Sequence, residues 1–285
     1  AADAGQGECV IAWEGRNCFM FDCGSTSVDG IWEYRIEPLL KYYGISRISC
    51  VFLSHGDKDH TNGIEELLAG YDEGFRGVNT GVITLDGIAV SEKGSVPDTH
   101  LRELCGDAAD KGIRIWKMRA FDRLRFGNTV LTCLYPGDVL TDDLNMNSMV
   151  IRLEKGGFRA LFPGDLEKEG EMEFCRILRE NRKQSEGTAD VLLAGHHGSK
   201  NAGSSELLRL VQPKICIVSC GRNNRYGHPA QETLQRLEEA GCDIFRTDLQ
   251  RSILIRSSGK DQTEVFVYDP ERGYKNVDTG ARDDV

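Results

Sequence analysis

The stretch VFLSHGDKDHTNG, residues 51–63, sets two histidines and two aspartates within six positions, directly after an apolar run. His55, Asp57, Asp59 and His60 are all residue types that bind cations, imidazole suiting transition ions and carboxylate suiting harder ones. Bunched at the end of an expected strand, they point to a metal site; the alternative is a polar loop whose Asp and His residues cap the next helix. A metal site needs donors from elsewhere in the chain. Asp165 stands just past the strand-like FRALFPG and before an expected helix, and His196 and His197 stand just past DVLLAG. His228 lies between Gly227 and Pro229, which fix the loop around it. Strand ends are where a scaffold presents side chains to a cleft. Five of the six histidines occupy such places, and His100, on an expected helix surface, does not. Four loops of this kind, in this order, favour a metal-dependent hydrolase.

These loops must be carried by regular elements. Strands are expected at CVIAW, CFMFD, ISCVFL, GVITL, IRIWKM, VLTCLY, SMVIRLE, FRALFPG, DVLLAG, KICIVSC, SILIR and EVFVYD, most of them rich in Val, Ile and Phe and bounded by Gly, Asp, Asn or Pro. Helices are expected over 33–43, 62–69, 98–111, 166–182, 204–211 and 230–240, with Asn62 and Glu65 forming a capping box at the second. Short strands and helices interleaved over this length predict an α/β chain of two sheets with helices outside. A single domain over 1–272 and a frayed tail over 273–285 are the expected organisation.

With 285 residues, 40% hydrophobic and 28% charged, the chain can bury a sizeable core. No apolar run approaches a membrane span and no signal pattern opens the chain, so no membrane insertion is expected of it as it stands. The start reads straight into a strand, which is compatible with a piece of a longer protein. A net charge of −10 argues against a surface that attracts nucleic acid everywhere. Residues 196–230 differ, with Lys200, Arg209, Lys214, Arg222 and Arg225 against the single acid Glu206, and such a segment can grip a phosphodiester locally or simply be solvated. The ten cysteines are scattered, with no CxxC pair; Cys50, Cys133, Cys175, Cys216 and Cys220 lie in apolar runs, and most are expected reduced and buried. A Cys18–Cys23 disulfide stays open.

The order DAGQGE, HxDxDH, PGD, GHHGS and NRYGHP, from Ala4 to about Asp248, resembles the metallo-β-lactamase superfamily, and within it the nuclease-like domain of ComEC-type DNA-uptake competence proteins. The resemblance implies a four-layer αββα sandwich with a metal cleft along one edge between the sheets. It departs at Glu8, where the subgroup usually has Asp, and at an insertion-like stretch from 71 to 98. The superfamily's usual motif is HxHxDH, and Asp57 takes the second histidine's place. A further histidine expected before PGD is missing too; that region offers Asn145, Asn147 and Ser148.

Carried over residue by residue, the resemblance implies one ion on His55, Asp57 and Asp165, and a second on Asp59, His60, Asp165 and one of His196 or His197, with Asp165 bridging; adjacent histidines rarely both reach one ion, and His197 is the one assigned. Carboxylates in place of imidazoles harden the first site toward Mn²⁺ or Mg²⁺ and away from Zn²⁺, although Zn²⁺ stays open for the pair. Two such ions can share a hydroxide and hold the attacking and leaving oxygens of a phosphoryl displacement. Asp59, His196 and His228 are then the expected catalytic residues, with His196 touching phosphate or protonating the leaving oxygen and His228 orienting a neighbour or acting as acid. Asn147, Ser199, Lys200, Arg222 and Arg225 are the expected substrate contacts.

The favoured reading is a nuclease on DNA, single-stranded by expectation, with a membrane channel domain of the same or another chain as partner. Its location would be the extracytoplasmic face of a bacterial membrane in that case, and cytoplasmic or secreted otherwise. Two rivals are a small-molecule hydrolase acting on a phosphodiester, lactone or lactam, and a DNA-positioning module without catalysis.

Overall fold

The computed structural model describes residues 1–71, 83–137, 141, 143–259 and 262–277. In the first half, the hairpin β1 (Val10–Glu14) and β2 (Asn17–Phe21) leads through a wide turn over Trp32–Ile36 to α1 (Glu37–Tyr42). Then follow β3 (Arg47–Ile48), β4 (Cys50–Phe52), α2 (Lys58–Ala69), β5 (Thr84–Leu85), β6 (Gly87–Ser91), α3 (Thr99–Asp110) and β7 (Arg114–Met118). The second half runs β8 (Arg123–Phe126), β9 (Thr129–Tyr135), β10 (Val150–Lys155), β11 (Phe158–Phe162), α4 (Lys168–Glu180), β12 (Val191–Leu193), α5 (Ser205–Val211), β13 (Ile215–Val218), α6 (Gln231–Glu239), β14 (Asp243–Arg246) and α7 (Thr247–Gln250). A meander of β15 (Ile253–Gly259), β16 (Gln262–Asp269) and β17 (Gly273–Val277) ends the described chain.

Two large sheets result, one ordered β1-β2-β4-β6-β7 and the other β14-β13-β12-β11-β10-β9-β8. Alternation along the strands explains why they stack. In β2, Phe19 and Phe21 join the inner core with Phe52, Cys133, Ile151, Phe162, Val191 and Ile217 from both sheets. Met20, one residue between, points the other way and packs with Leu40, Ile64, Leu68 and Leu101 of the helices. The second sheet does the same, sending Val150, Leu161, Leu192 and Cys216 outward against Phe174, Leu178 and Leu207. Period-two patterning on both sheets thus requires helices on both outer faces, which gives the four layers αββα. Phe21 and Phe162 stack across the gap with ring centroids 3.7 Å apart, and each buried Phe contributes roughly 1.5–3 kcal/mol.

Several expectations are revised. Helix α2 begins at Lys58, four residues before the expected start, with Asp57 as its N-cap. Asn62 is therefore no cap: it lies inside the helix, where its amide accepts from Ser25 N and donates to Ser25 O. ISCVFL breaks at Ser49 into β3 and β4, and GVITL contributes only β5, its first two residues lying outside the described part. Strands β6, β8 and β14 were not expected; RLRF and DIFR mix charges with apolar residues, and GIAVS lies in the insertion-like stretch. The expected tail opens as β17, hydrogen-bonded to β16, and residues 278–285 lie outside the described part. All ten cysteines are free thiols, Cys18 and Cys23 included. Among the described residues no helix is long and apolar enough to cross a membrane.

Candidate metal centre

Four loops at strand ends of the two sheets converge. After β4 the chain runs through His55 to the N-cap Asp57, whose carboxylate makes no cap hydrogen bond and is about half exposed at 51%. Asp59 and His60 follow in the first turn of α2, where the partial positive charge of the helix end favours acidic neighbours. The loop after β2 presses against this turn so closely that a Cβ on Gly24 would sit 2.4 Å from the Asp59 carbonyl carbon and 2.5 Å from His60 N. Only glycine fits there. Asp165 follows β11, and His196 and His197 follow β12. His196 (φ 44°), His197 (φ 54°) and Gly198 (φ 80°) are all left-handed, and each of the two histidines costs about 1–3 kcal/mol in that conformation. The strained turn aims two consecutive imidazoles into one cleft.

Each of four histidines is tied to the scaffold by Nδ1 and presents Nε2 to the cleft. His55 Nδ1 is 2.9 Å from Ser54 Oγ, which donates to Asp22 at 2.7 Å. His60 Nδ1 is 2.9 Å from Asp22 Oδ2, His197 Nδ1 is 2.9 Å from the Ser219 carbonyl, and His196 Nδ1 is 2.8 Å from Glu167 Oε1. Carbonyl and carboxylate partners can only accept, so the proton belongs on Nδ1 and the Nε2 lone pair faces inward. Around Asp165 these atoms divide in two. Oδ1 is 3.1 Å from His60 Nε2 and 3.9 Å from His197 Nε2; Oδ2 is 3.6 Å from His196 Nε2 and 4.0 Å from His55 Nε2. Asp57 Oδ2 lies 3.6 Å from His55 Nε2, and Asp59 Oδ2 lies 3.3 Å from His197 Nε2.

This geometry fits cations. Nε2 of His55, His60 and His197 and Oδ1 of Asp165 are buried without any hydrogen-bond partner, a rare state for buried polar atoms. Lone pairs from His55, His60 and Asp165 lie within 4.8 Å of one another, and so do those from Asp59, His60 and His197. A proton partly answers the same demand in the metal-free chain. Burial opposes a charged His60, yet Asp165 and Asp22 outweigh it and lift its pKa well above the imidazole range. Burial likewise opposes the Asp165 carboxylate, and His60 and His197 nevertheless hold it well below the usual range. Behind them Glu8 is buried with both carboxylate oxygens unpartnered; burial first, then the neighbouring Asp22, push its pKa well above the usual carboxylate range.

Residues 2–81 match the metallo-beta-lactamase superfamily. The chain is a member of that superfamily. It is 33% identical over 238 residues to ComE operon protein 3 of Bacillus subtilis, covering 84% of this chain and 28% of that protein. It is 28% identical over 251 residues to competence protein ComA of Neisseria gonorrhoeae, covering 88% of this chain and 31% of that protein. The chain therefore spans less than a third of the length of these competence relatives. Among solved structures, the metallo-beta-lactamase fold protein YhfI from Bacillus subtilis superposes with a TM-score of 0.54 at 12% identity, covering 86% of this chain and 94% of that one. Superfamily members are generally metal-dependent hydrolases, and the fold is one that holds divalent ions.

Within this metallo-β-lactamase cleft the sequence expectations divide. His55, Asp57, Asp59, His60, Asp165, His196 and His197 come together. His196 and His197 both face Asp165, on different oxygens. His228 joins the edge, its ring 5.7 Å from that of His196. Burial first, then His196 and His197, lower its pKa, so it is neutral near pH 7 and suits the role of acid poorly. Two expected substrate contacts are not available. The Asn147 amide is tied to the backbone of Thr141, accepting from its N at 3.1 Å and donating to its O at 2.7 Å. Ser199 is buried and donates to Glu167. Ser148 accepts from Asp165 N at 3.2 Å and so positions the bridging candidate. Lys200 is exposed in the loop after His197, and Arg222 and Arg225 are exposed in the loop before His228, with Arg222 Nε donating to the Asp248 carbonyl at 3.3 Å. His100 bonds Glu65 at 2.8 Å between α2 and α3, away from the cleft as expected.

Three residues were missed. Asp22 and Ser54 hold His55 and His60, and Glu167 holds His196, Ser199 and Asn201. The His196 hydrogen bond, against partial burial, pulls the Glu167 pKa down to about 2. Asp22 had a signal in the sequence, an aspartate at the end of the apolar run CFMFD beside a glycine.

Proposed function

We propose that this chain hydrolyses phosphodiester bonds of single-stranded DNA at a centre of two divalent cations, Mn²⁺ or Zn²⁺ with Mg²⁺ as a further option, in competence DNA uptake. One ion would take His55, Asp57 and Asp165 Oδ2, and the other Asp59, His60, His197 and Asp165 Oδ1. Bound there, the ions would supply Lewis-acid polarisation of the phosphate and neutralise its charge. The observation that carries the reading is Asp57, a half-exposed carboxylate 3.6 Å from His55 Nε2 where the superfamily usually has a histidine, together with the exposed Lys200, Arg222 and Arg225 on the loops that carry His197 and His228. Oxygen donors harden the first site, and exposed cations above it suit a polyanion.

The chain's own residues then divide the work. Asp59 holds the proton of an attacking water, and the arginines and Lys200 clamp flanking phosphates. His196 is the acid for the leaving oxygen. Burial disfavours its charge, but the Glu167 hydrogen bond and Asp165 raise its pKa, which favours the protonated form that an acid needs. His228 is neutral and acts through contact with His196. The competence relatives support DNA as substrate, and a channel domain on the same or another chain is the proposed partner.

The test is cleavage of end-labelled single-stranded DNA and of bis(p-nitrophenyl) phosphate, with Mn²⁺, Mg²⁺ and Zn²⁺ supplied in turn. Metal-dependent cutting of DNA is the expected result. Turnover of the small diester alone would favour a small-molecule hydrolase, and turnover of neither, with ions bound, would favour a positioning module.

A further inference from the structure

One exposed aromatic side chain beside the cleft is unaccounted for. Tyr226 is 48% exposed, in the same loop as His228, and its ring lies against the His228 ring with centroids 5.8 Å apart and planes 27° from parallel. The His228 ring in turn meets His196, and His196 Nε2 faces Asp165. A continuous row of rings therefore runs from the cation cluster to the surface.

The loop that carries Tyr226 is rigidly built. The Asn224 side chain accepts from Tyr226 N at 3.1 Å and from His228 N at 3.0 Å, and donates to Gly221 O at 2.9 Å and to His228 O at 2.5 Å. Arg225 lies over the Tyr226 ring, its guanidinium carbon 5.0 Å from the centroid, and donates to the Tyr226 hydroxyl at 3.0 Å. The aromatic body and a fixed positive charge are thus presented together. That combination is how unpaired nucleotides are held: a base stacks on the ring while cations follow the backbone. In a duplex both faces of every base are covered by neighbours, so such a ring has nothing to stack on.

We propose that Tyr226 is a stacking platform for an unpaired nucleobase next to the scissile phosphate, with Arg225 and Arg222 taking the adjoining phosphates. This rests on the DNA reading of the site and deepens it, because it makes single strands the substrate by a named contact. Because His228 also lies against the ring, a stacking base takes the place of the Arg225 guanidinium, which then turns to the adjoining phosphate.

The test uses the whole chain with Ca²⁺ in place of an active ion, and a single-stranded oligonucleotide carrying 2-aminopurine, whose fluorescence falls when it stacks. Wild type should quench the probe at saturation and prefer it to the same sequence in duplex form. Tyr226→Leu should bind roughly ten- to a hundredfold more weakly and lose the quenching at saturation, while Tyr226→Trp keeps both. Arg222→Ala should weaken binding and flatten its salt dependence but leave the quenching of bound probe intact. Metal titration of each variant confirms an intact centre. Quenching and affinity in Tyr226→Leu equal to wild type would overturn the platform while leaving DNA cleavage standing. No binding of any oligonucleotide to wild type would overturn both.

Discussion

Replacing Asp22 by Asn alters one atom of a carboxylate that touches no proposed substrate, yet it should disable a ligand. Asp22 accepts three hydrogen bonds: from Ser54 N at 2.8 Å through Oδ1, and from Ser54 Oγ at 2.7 Å and His60 Nδ1 at 2.9 Å through Oδ2. In Asp22→Asn the amide oxygen keeps Ser54 N, and the NH₂ group faces the other two. The Ser54 hydroxyl can turn and accept. His60 cannot keep its Nδ1 proton against a donor, so that proton is lost and the remaining one stays on Nε2, held by Asp165 Oδ1 at 3.1 Å. The metal-free fold should survive, and the lone pair offered to a cation is lost. Loss of such an orienting partner lowers metal affinity about 10- to 100-fold, which is roughly 1.4–2.8 kcal/mol. Titration calorimetry with Mn²⁺ and Zn²⁺, beside thermal unfolding of the metal-free proteins, makes the comparison. Affinity within about twofold of the parent, with the same unfolding temperature, would refute the argument that Asp22 sets the tautomer of His60.

Other outcomes follow from the same geometry. Asp165→Asn should weaken both ions together, since its two oxygens face different pairs of histidines; calorimetry that still counts two strong sites would remove the bridging role. Asp57→His should shift preference from Mn²⁺ toward Zn²⁺ with the fold unchanged, because nitrogen donors favour later transition ions, and an unaltered metal ranking would mean that Asp57 is not a ligand. Cation binding should release protons near pH 7: His60 has a raised pKa in the metal-free chain and must give up that proton, so affinity rises with pH through that value. Identical binding heats in two buffers of unlike ionisation enthalpy would contradict this. Glu171, fully buried in α4, accepts from Gly203 N and Ser204 N at 2.7 Å each, and Glu171→Ala should cost roughly 2–4 kcal/mol in urea unfolding by stranding both N–H groups. A loss below about 1 kcal/mol would mean that water replaces the carboxylate.

The candidate cation cluster was legible because residue type and local spacing suffice to suggest it: HGDKDH gathers donor side chains before any fold is known. Asp22, Ser54 and Glu167 were not, since each becomes important only when the topology brings its loop to a histidine 29 or more positions away, or, for Ser54, through Asp22. Asn147 and Ser199 were misread for the converse reason. A polar side chain near a cleft looks like a substrate contact in one dimension, and only the structure shows that its hydrogen bonds are already used to fasten a loop. The start of α2 was hidden by Thr61, Asn62 and Gly63, poor helix formers that take helical form because Asn62 bonds Ser25 and the turn packs on Gly24. Strands β8 and β14 were hidden because they are the edges of their sheet: arginines alternate with Leu124 and Phe126 in β8, and Asp243 and Arg246 flank only two apolar residues in β14, so the apolar signal is diluted.

The division of the cluster between the two sheets has a consequence for how the protein matures. His55, Asp57, Asp59 and His60 follow a strand of the first sheet, and Asp165, His196 and His197 follow strands of the second. Both donor groups at the cleft span the two halves, His55 and His60 with Asp165, and Asp59 and His60 with His197. Ion capture must therefore wait until the inner faces have closed on each other through contacts such as Phe21 against Phe162. An ion that binds only the closed form also shifts the folding equilibrium toward it, by an amount that grows with the logarithm of free ion concentration. The centre thereby acts as a coincidence detector for assembly: it switches on when both halves are finished, and it locks the seam that created it.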